Sequence, residues 1–488
     1  MPAVQHGSDL FKTTETLEFL KHCQQQAIRA NQTKIASLTV AIAPVAPWQV
    51  LAALGRTHQR SFYYDPPKSP ATVGLGAAVD CVSAGPQRFE KAQAFVHFWQ
   101  RQFIYADPSL ASSVQPLEGH SQGHFFCSAT FFEEATAQRF TETAGSNAEA
   151  PHFEPAYVFV PGVQVTRRAD CSTITFNCPI QAATDLDQTV AQIYRQLQRL
   201  IVTDAAQSKA AYPVNQCVTK GVADFERAVM AALQQVHCGQ LHKVVLADVM
   251  DVVAPQAIDV GRSLQTLRHN HPDCTVFSVG NGRGQCFMGA SPERLLSITG
   301  GQLITDALAG SASRSNIHGI DTQLAQSLLN SEKERYEHRV VVEFIVRQLR
   351  SLGLTPHYAA TPKLLQLLHI QHLHTPISAT LNSQQRRIAP FDILAKLHPT
   401  PAVAGVPREQ ACRLIRQYET FDRGLYAAPL GWIDTGGNSE FIVGIRSALI
   451  DGRKARLYAG AGIVARSEPA KELAEIKLKL QTLLNALV

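Results

Sequence analysis

The segment Leu397–Pro407, LHPTPAVAGVP, with Glu419–Asp434, ETFDRGLYAAPLGWID, soon after it, constrains this chain more than any other stretch. A surface loop needs turn residues. It does not need His398, two prolines flanking Thr400, and then an acidic FDRG turn running into an aromatic strand. Local backbone physics leaves that pattern unexplained, so the reason for it has to lie in what the rest of the chain builds around it.

The chain has 488 residues, too many for one simple core and enough for two or three domains or one large composite domain. With 45% apolar and 17% charged residues it reads as an ordinary globular protein. The net charge of +5 is spread along the sequence, and clusters such as Arg386-Arg387 are too short for an electrostatic footprint, so no nucleic-acid partner is expected. Ten cysteines occur without CxxC or CxxH spacing, which favours reduced, buried thiols. The N-terminal MPAVQHGSDLFKTTETLEFLKHCQQQ carries charges where a signal peptide has its apolar core. The longest apolar stretch, Ser37–Gly55, is broken by Pro44 and Pro47 and reads as a strand then a helix rather than a membrane span. A cytoplasmic monomer without a membrane partner is the expectation.

Helical periodicity marks Thr16–Ile28, Lys91–Phe103, Thr184–Val202 and Phe225–Val236, with short strands at Ser61–Tyr64, Ala156–Phe159 and Ser172–Phe176. Ala205–Val222, with Ser208, Pro213 and Gly221, is the best boundary, dividing residues 1–220 from 221–488. Beyond it, strands at Val244–Val252, Thr275–Val279, Cys286–Gly289, Arg294–Thr299, Glu440–Leu449 and Ala455–Ala459 alternate with long helices. These patterns establish a large α/β or α+β protein.

Several residues stand out chemically. Lys243 opens the otherwise apolar run KVVLADVMDVV. It is either an edge lysine whose amine reaches water or a desolvated amine whose pKa falls toward neutrality, as a general base requires. Glu293, in GASPERLL, reads on its own as a turn glutamate, solvated or paired with Arg294. Glu334 and Glu337 share one face of an amphipathic helix, and Glu472 and Glu475 repeat that spacing on the last helix, where Leu473, Ile476, Leu480 and Leu483 form the apolar stripe. A solvated face with a Glu475–Lys479 pair is one reading. The other is a hard oxygen site for Mg²⁺ between two helices. Arg446 interrupts the apolar FIVGIRSALI and is costly to bury without an anion. Gly460 and Gly462 in LYAGAGIV allow close backbone approach to an anion, although the stretch lacks the third glycine of a dinucleotide fingerprint.

Taken together, HPTPAV, ETFDRG, KVVLA, GASPERL and the paired glutamates resemble the chorismate-utilising enzymes, and within them the isochorismate synthases. The resemblance spans the chain and is strong from about Gly221 onward; earlier it rests on fragments such as RSFYYDPPKSPATVGLGAA. It implies an α/β (α+β) fold like that of anthranilate synthase component I: two large antiparallel sheets in a layered core, helices outside, and the site between them. It implies Lys243 as the base activating water, Glu293 as the acid protonating the departing hydroxyl, and Mg²⁺ held directly by Glu337 and Glu475 with Glu334 and Glu472 acting directly or through water. Gly310, His372, Arg446, Gly460, Gly462 and Lys479 would surround the substrate, chorismate. Relatives that use ammonia usually have glutamine at the Lys243 position, or a nucleophilic lysine where this chain has Ala309. Pyruvate-expelling relatives typically carry an FP…GxPK loop in place of HPTPAVAGVP. These differences favour water addition over the salicylate synthase alternative, which would share base, acid and metal. Two departures, Asp248 for the usual arginine and Ala404 for the usual glycine, leave open a non-catalytic, chorismate-binding homologue.

Overall fold

The computed structural model describes residues 13–54, 59–106, 123–134, 152–168, 171–202, 218–220, 225–368, 370–382, 385 and 388–487. Most of the expected boundary Ala205–Val222, together with Arg386-Arg387, lies outside the described residues. No described helix is long and apolar enough to cross a membrane.

All described strands join one hydrogen-bonded network, antiparallel except where Lys34–Ile42 meets Phe103–Tyr105. The two expected sheets are two arms of that network. They diverge from strand Ala156–Arg167, which pairs with both Ala71–Ser83 and His124–Ala129. One arm continues through Arg60–Asp65, Thr275–Asn281, Gln285–Ser291, Ser447–Asp451 and Lys454–Ile463 to Lys243–Val253. The other runs through Pro429–Asp434, Ser439–Val443, Arg294–Thr299 and Gln302–Ser313 to Ile370–Thr380. Phe62 of the first arm stacks on Phe126 of the second with centroids 4.9 Å apart. Aromatic area of this kind, buried between the arms, supplies much of the core.

Helices cover the outside. Glu332–Ser351 begins where the Ser331 hydroxyl accepts from the Glu334 N–H, and it buries Val341, Phe344, Ile345 and Leu349 on one face. That is the amphipathic period expected of a helix packed on a sheet. Its first two turns project Glu334 and Glu337 beyond the packed face. Two sequence expectations are corrected. The helix expected at Lys91–Phe103 keeps its length but lies three residues earlier, at Arg88–Gln100, because Phe103 starts a strand beside Ile35. Glu440–Leu449 is two strands, Ser439–Val443 and Ser447–Asp451. Arg446 interrupts them with a φ of +51°, a conformation that costs a side-chain-bearing residue of order 1–3 kcal/mol.

The opening motif now has a physical account. Arg423, 1% exposed, donates through Nε to Glu419 Oε2 (2.8 Å), through Nη1 to the Val403 carbonyl (2.8 Å) and through Nη2 to the Val245 carbonyl (2.9 Å). Glu419 Oε1 accepts from the Ala247 N–H at 2.8 Å. The FDRG turn is therefore a buried clamp that fastens the HPTPAV loop to the Lys243–Val253 strand. His398 pins the other side, where burial and then the charge of Arg88 push its imidazole down to about 3. It is thus neutral, and its Nε2 donates to the Phe131 carbonyl (3.0 Å). Ala404 fits within this loop: fully buried, it receives the Val245 N–H on its carbonyl at 2.7 Å.

Replacing Arg423 with Leu strands the Glu419 carboxylate and two carbonyls in the core. The expected loss is about 3–5 kcal/mol in urea unfolding, with part recovered in the Arg423→Leu/Glu419→Leu double variant. A single-variant loss below about 1 kcal/mol would show that the clamp does not hold the loop.

Candidate active site

Every predicted site residue except Lys243 lines one cavity between the arms, and Lys243 stands directly behind it. Lys243 begins its strand with 0% exposure, and its Nζ lies 2.7 Å from Glu337 Oε1, although the approach falls outside hydrogen-bonding angles. The edge-lysine reading is thereby corrected: the amine is desolvated and reaches a carboxylate, not water. Gly462, opposite Val245 on the neighbouring strand, makes that contact possible. A Cβ there would sit 2.5 Å from Glu337 Oε1 and 3.1 Å from Lys243 Cε. Gly460 has a similar purpose, since its Cβ would lie 2.8 Å from the Tyr426 hydroxyl, and its carbonyl accepts from Lys479 at 2.8 Å. In this structure both glycines make room for protein side chains.

Glu293 follows the turn after strand Gln285–Ser291 and is 4% exposed. The Ser291 hydroxyl sets that turn by receiving the Glu293 N–H (3.2 Å) and donating to the Val443 carbonyl (2.6 Å). Burial raises the Glu293 carboxyl to about 8, with Lys243 pulling down and Asp306 adding to the rise. At neutral pH it is a protonated acid. Arg294 turns away to Asp306 (3.4 Å), so the paired-turn reading of Glu293 falls.

Four carboxylates line one side of the cavity, two of them hydrogen-bonded to Ser311. Strand Gln302–Ser313 slips register between Ala309 and Ser311, and Gly310 at the slip has a φ of +77°, the left-handed region glycine tolerates. A Cβ on Gly310 would come within 3.1 Å of Glu334 Oε2. The Ser311 N–H donates to Glu334 Oε2 (3.0 Å) and its hydroxyl to Glu475 Oε1 (3.1 Å). Lys333 lies 3.0 Å from Glu472 Oε1 and 3.6 Å from Glu334 Oε1, and Lys479 lies 2.7 Å from Glu475 Oε1. Burial and then the charge of Glu337 push the Glu334 carboxyl up, and burial does the same to Glu472 against the pull of Lys333. For Glu475, burial is outweighed by the charge and hydrogen bond of Lys479 with help from Ser311, so it lies below the usual range. Glu472 is a buried residue, whereas Leu473 beside it is only partly buried, a shift from the expected stripe.

By donor chemistry this all-oxygen set suits a hard divalent cation, and the mutual repulsion felt by Glu334 is what such a cation would relieve. As the side chains stand, lysines separate the carboxylates, and no three metal-binding side chains converge on one point among the described residues.

On the opposite wall, Arg446 Nη2 donates to His372 Nε2 (2.9 Å). Burial, then the charges of Arg446 and Lys479, hold the imidazole well below its ordinary value. Since a guanidinium only donates, Nε2 is the acceptor and the remaining proton sits on Nδ1. No described carboxylate pairs with Arg446, so a half-buried guanidinium faces the cavity with no described anion. Asp248, raised to about 6 by burial, does not line the cavity, which removes that departure from direct contact with a bound molecule. The sequence reading missed Lys333, Ser311 and Tyr426. Only Lys333 had a visible signal, as the basic residue between Glu332 and Glu334.

The signature of the family described as chorismate binding enzyme matches residues 18–488. A Pseudomonas aeruginosa protein described as a salicylate biosynthesis isochorismate synthase is 32% identical over 95% of this chain and 92% of its own length. The Bacillus subtilis isochorismate synthase MenF is 32% identical over 96% of each. The solved Escherichia coli MenF shares the fold, with a TM-score of 0.71 over 96% of this chain and all of that one, at 24% identity. The fold also matches anthranilate synthase component I from Streptococcus pneumoniae, at a TM-score of 0.62, 18% identity and 92% of each chain. With the matched signature covering nearly the whole length and both relatives aligned end to end, the chain belongs to the chorismate binding enzyme family.

Proposed function

We propose that this protein converts chorismate into isochorismate, adding water at C2 of the ring and releasing the C4 hydroxyl. The observation that carries the reading is a protonated acid, Glu293, and a desolvated amine, Lys243, at one cavity that also presents an anion-free guanidinium. The names of the two full-length relatives support the same reaction. Ala309 lines the cavity where an amine nucleophile would otherwise stand.

In this reading Glu293 gives its proton to the leaving C4 hydroxyl, and Lys243 takes a proton from the water that attacks C2. Each acid–base step contributes about 10²–10⁴-fold. As placed, the amine lies 2.7 Å from Glu337 Oε1. Glu337 and Glu475, with Glu334 and Glu472 beside them, would hold Mg²⁺, which would supply positive charge for the ring carboxylate. Arg446, oriented by neutral His372, binds a carboxylate of the substrate together with Lys479. Val245, Leu308 and Ile445 line the cavity, and apolar surface of this kind strengthens charge interactions beside it.

Incubated with chorismate and Mg²⁺, the protein is expected to yield isochorismate without stoichiometric pyruvate. One pyruvate per chorismate would make it a salicylate synthase, and no consumption at all would make it a binding homologue.

Chelation is expected to abolish turnover and Mg²⁺ to restore it. Glu337→Gln and Glu475→Gln should weaken Mg²⁺ binding by calorimetry about 10–100-fold with the fold unchanged. Full turnover in excess EDTA refutes the metal assignment.

Activity should fall as pH rises through about 8, where Glu293 loses its proton. The stability effect has a fixed sign: the folded-state value is raised, so the contribution is complete below the ordinary carboxyl value of 4.5 and gone above about 8. Glu293→Gln should therefore gain in Tm over wild type across that window and hold the gain above it, while being inactive. Lys243→Ala should slow single-turnover chemistry by about 10²–10⁴-fold; a loss within about tenfold, roughly 1.4 kcal/mol, assigns the base elsewhere.

A further inference from the structure

Behind Arg446 and Lys479 lies a second cavity of the opposite character. Its walls include Leu267 and Leu483, and its rim carries Leu368 and Leu478, which are 55% and 53% exposed. Large leucines this open, gathered at one mouth, mark a surface prepared for an apolar group. Its lining also includes Arg446 and Lys479, the same two cations that line the active-site cavity.

Arg446 lines both cavities. Its Nη2 bonds His372 at 2.9 Å, whereas the described contact of Nη1 is the Cys274 thiol at 4.0 Å, a weak acceptor. Guanidinium is made for two-point pairing with a carboxylate, and its φ of +51° commits backbone strain to aiming this one. A purely apolar guest would leave Nη1 without an acceptor, and a bare anion would leave the leucines in water.

We infer that this second cavity binds a carboxylate carried on an aryl or alkyl body, with the carboxylate on Arg446 and the body between Leu267, Leu483 and the rim. Because Arg446 serves both cavities, the occupant competes with chorismate; that consequence alone rests on the proposed function.

The probe is 4-phenylbutyrate, with uncharged 4-phenylbutanol as control, titrated by calorimetry into the full-length protein. The acid is expected to bind at least about tenfold more tightly than the alcohol. Leu368→Ser and Leu478→Ser leave the charge unchanged, and Thr482→Trp fills the cavity; each should weaken the acid about tenfold or more. In the turnover assay the acid should raise KM for chorismate without lowering kcat. Equal binding of acid and alcohol, no binding of either, or an affinity for the acid that none of the three variants alters overturns the inference. The titration needs no turnover, so failure of this site and failure of the chorismate reading are separately visible.

Discussion

A lysine without solvent exposure, 2.7 Å from a carboxylate on another element, ties this molecule together. Lys243 starts the strand at the end of one arm of the sheet network, and Glu337 rides the helix that packs on the other. Neither charge could be buried alone, since an isolated ion loses several kcal/mol of hydration even after relaxation. The contact therefore fixes how far the arms open and how deep the helix sits. It also explains Gly462, because the strand beside Lys243 has to approach without a side chain for the two groups to meet.

The same requirement extends through the cavity. Four carboxylates crowd one wall and three lysines answer them, each lysine drawn from a different element or turn. A single added cation would redistribute these pairings, while the guanidinium opposite has no carboxylate partner among the described residues. The cavity is thus rich in both signs yet divided between a wall of carboxylates paired with lysines and a guanidinium opposite. That division suits a small acid whose carboxylates need separate anchors more than it suits a neutral ligand.

Sequence patterns exposed much of this and missed a definable part. Strands such as Thr275–Asn281 and the long helices were legible because burial on one or both faces leaves a period in the apolar residues. The carboxylate pairs were legible because a spacing of three on a helix puts both on one face. Arg446 was flagged for its chemistry, but its break in the strand was not, since FIVGIRSALI has the composition of one continuous strand. What breaks it is the aim of the guanidinium, a tertiary demand. Arg423 gave no local sign of being buried either. Its four-residue spacing from Glu419 reads as an ordinary pair, and only the fold shows that it binds two carbonyls from segments 20 and 178 residues away.

The departures from the family pattern can be judged by the same physics. Ala404 stands where a glycine is usual, and it stays within ordinary backbone angles while its carbonyl takes the Val245 N–H, so the added methyl simply fills core. Asp248 replaces an arginine on the strand that begins with Lys243, and its carboxylate is satisfied locally by the Val249 N–H at 2.6 Å, outside the cavity lining. An acid there adds to the charge of Glu419 nearby, which helps raise it to about 6. The clamp that carries Glu419 is closed by Arg423 from within the same turn. The loss of a basic residue at position 248 is therefore absorbed one layer behind the site, and the acid, the amine and the unpaired guanidinium keep their places around the cavity.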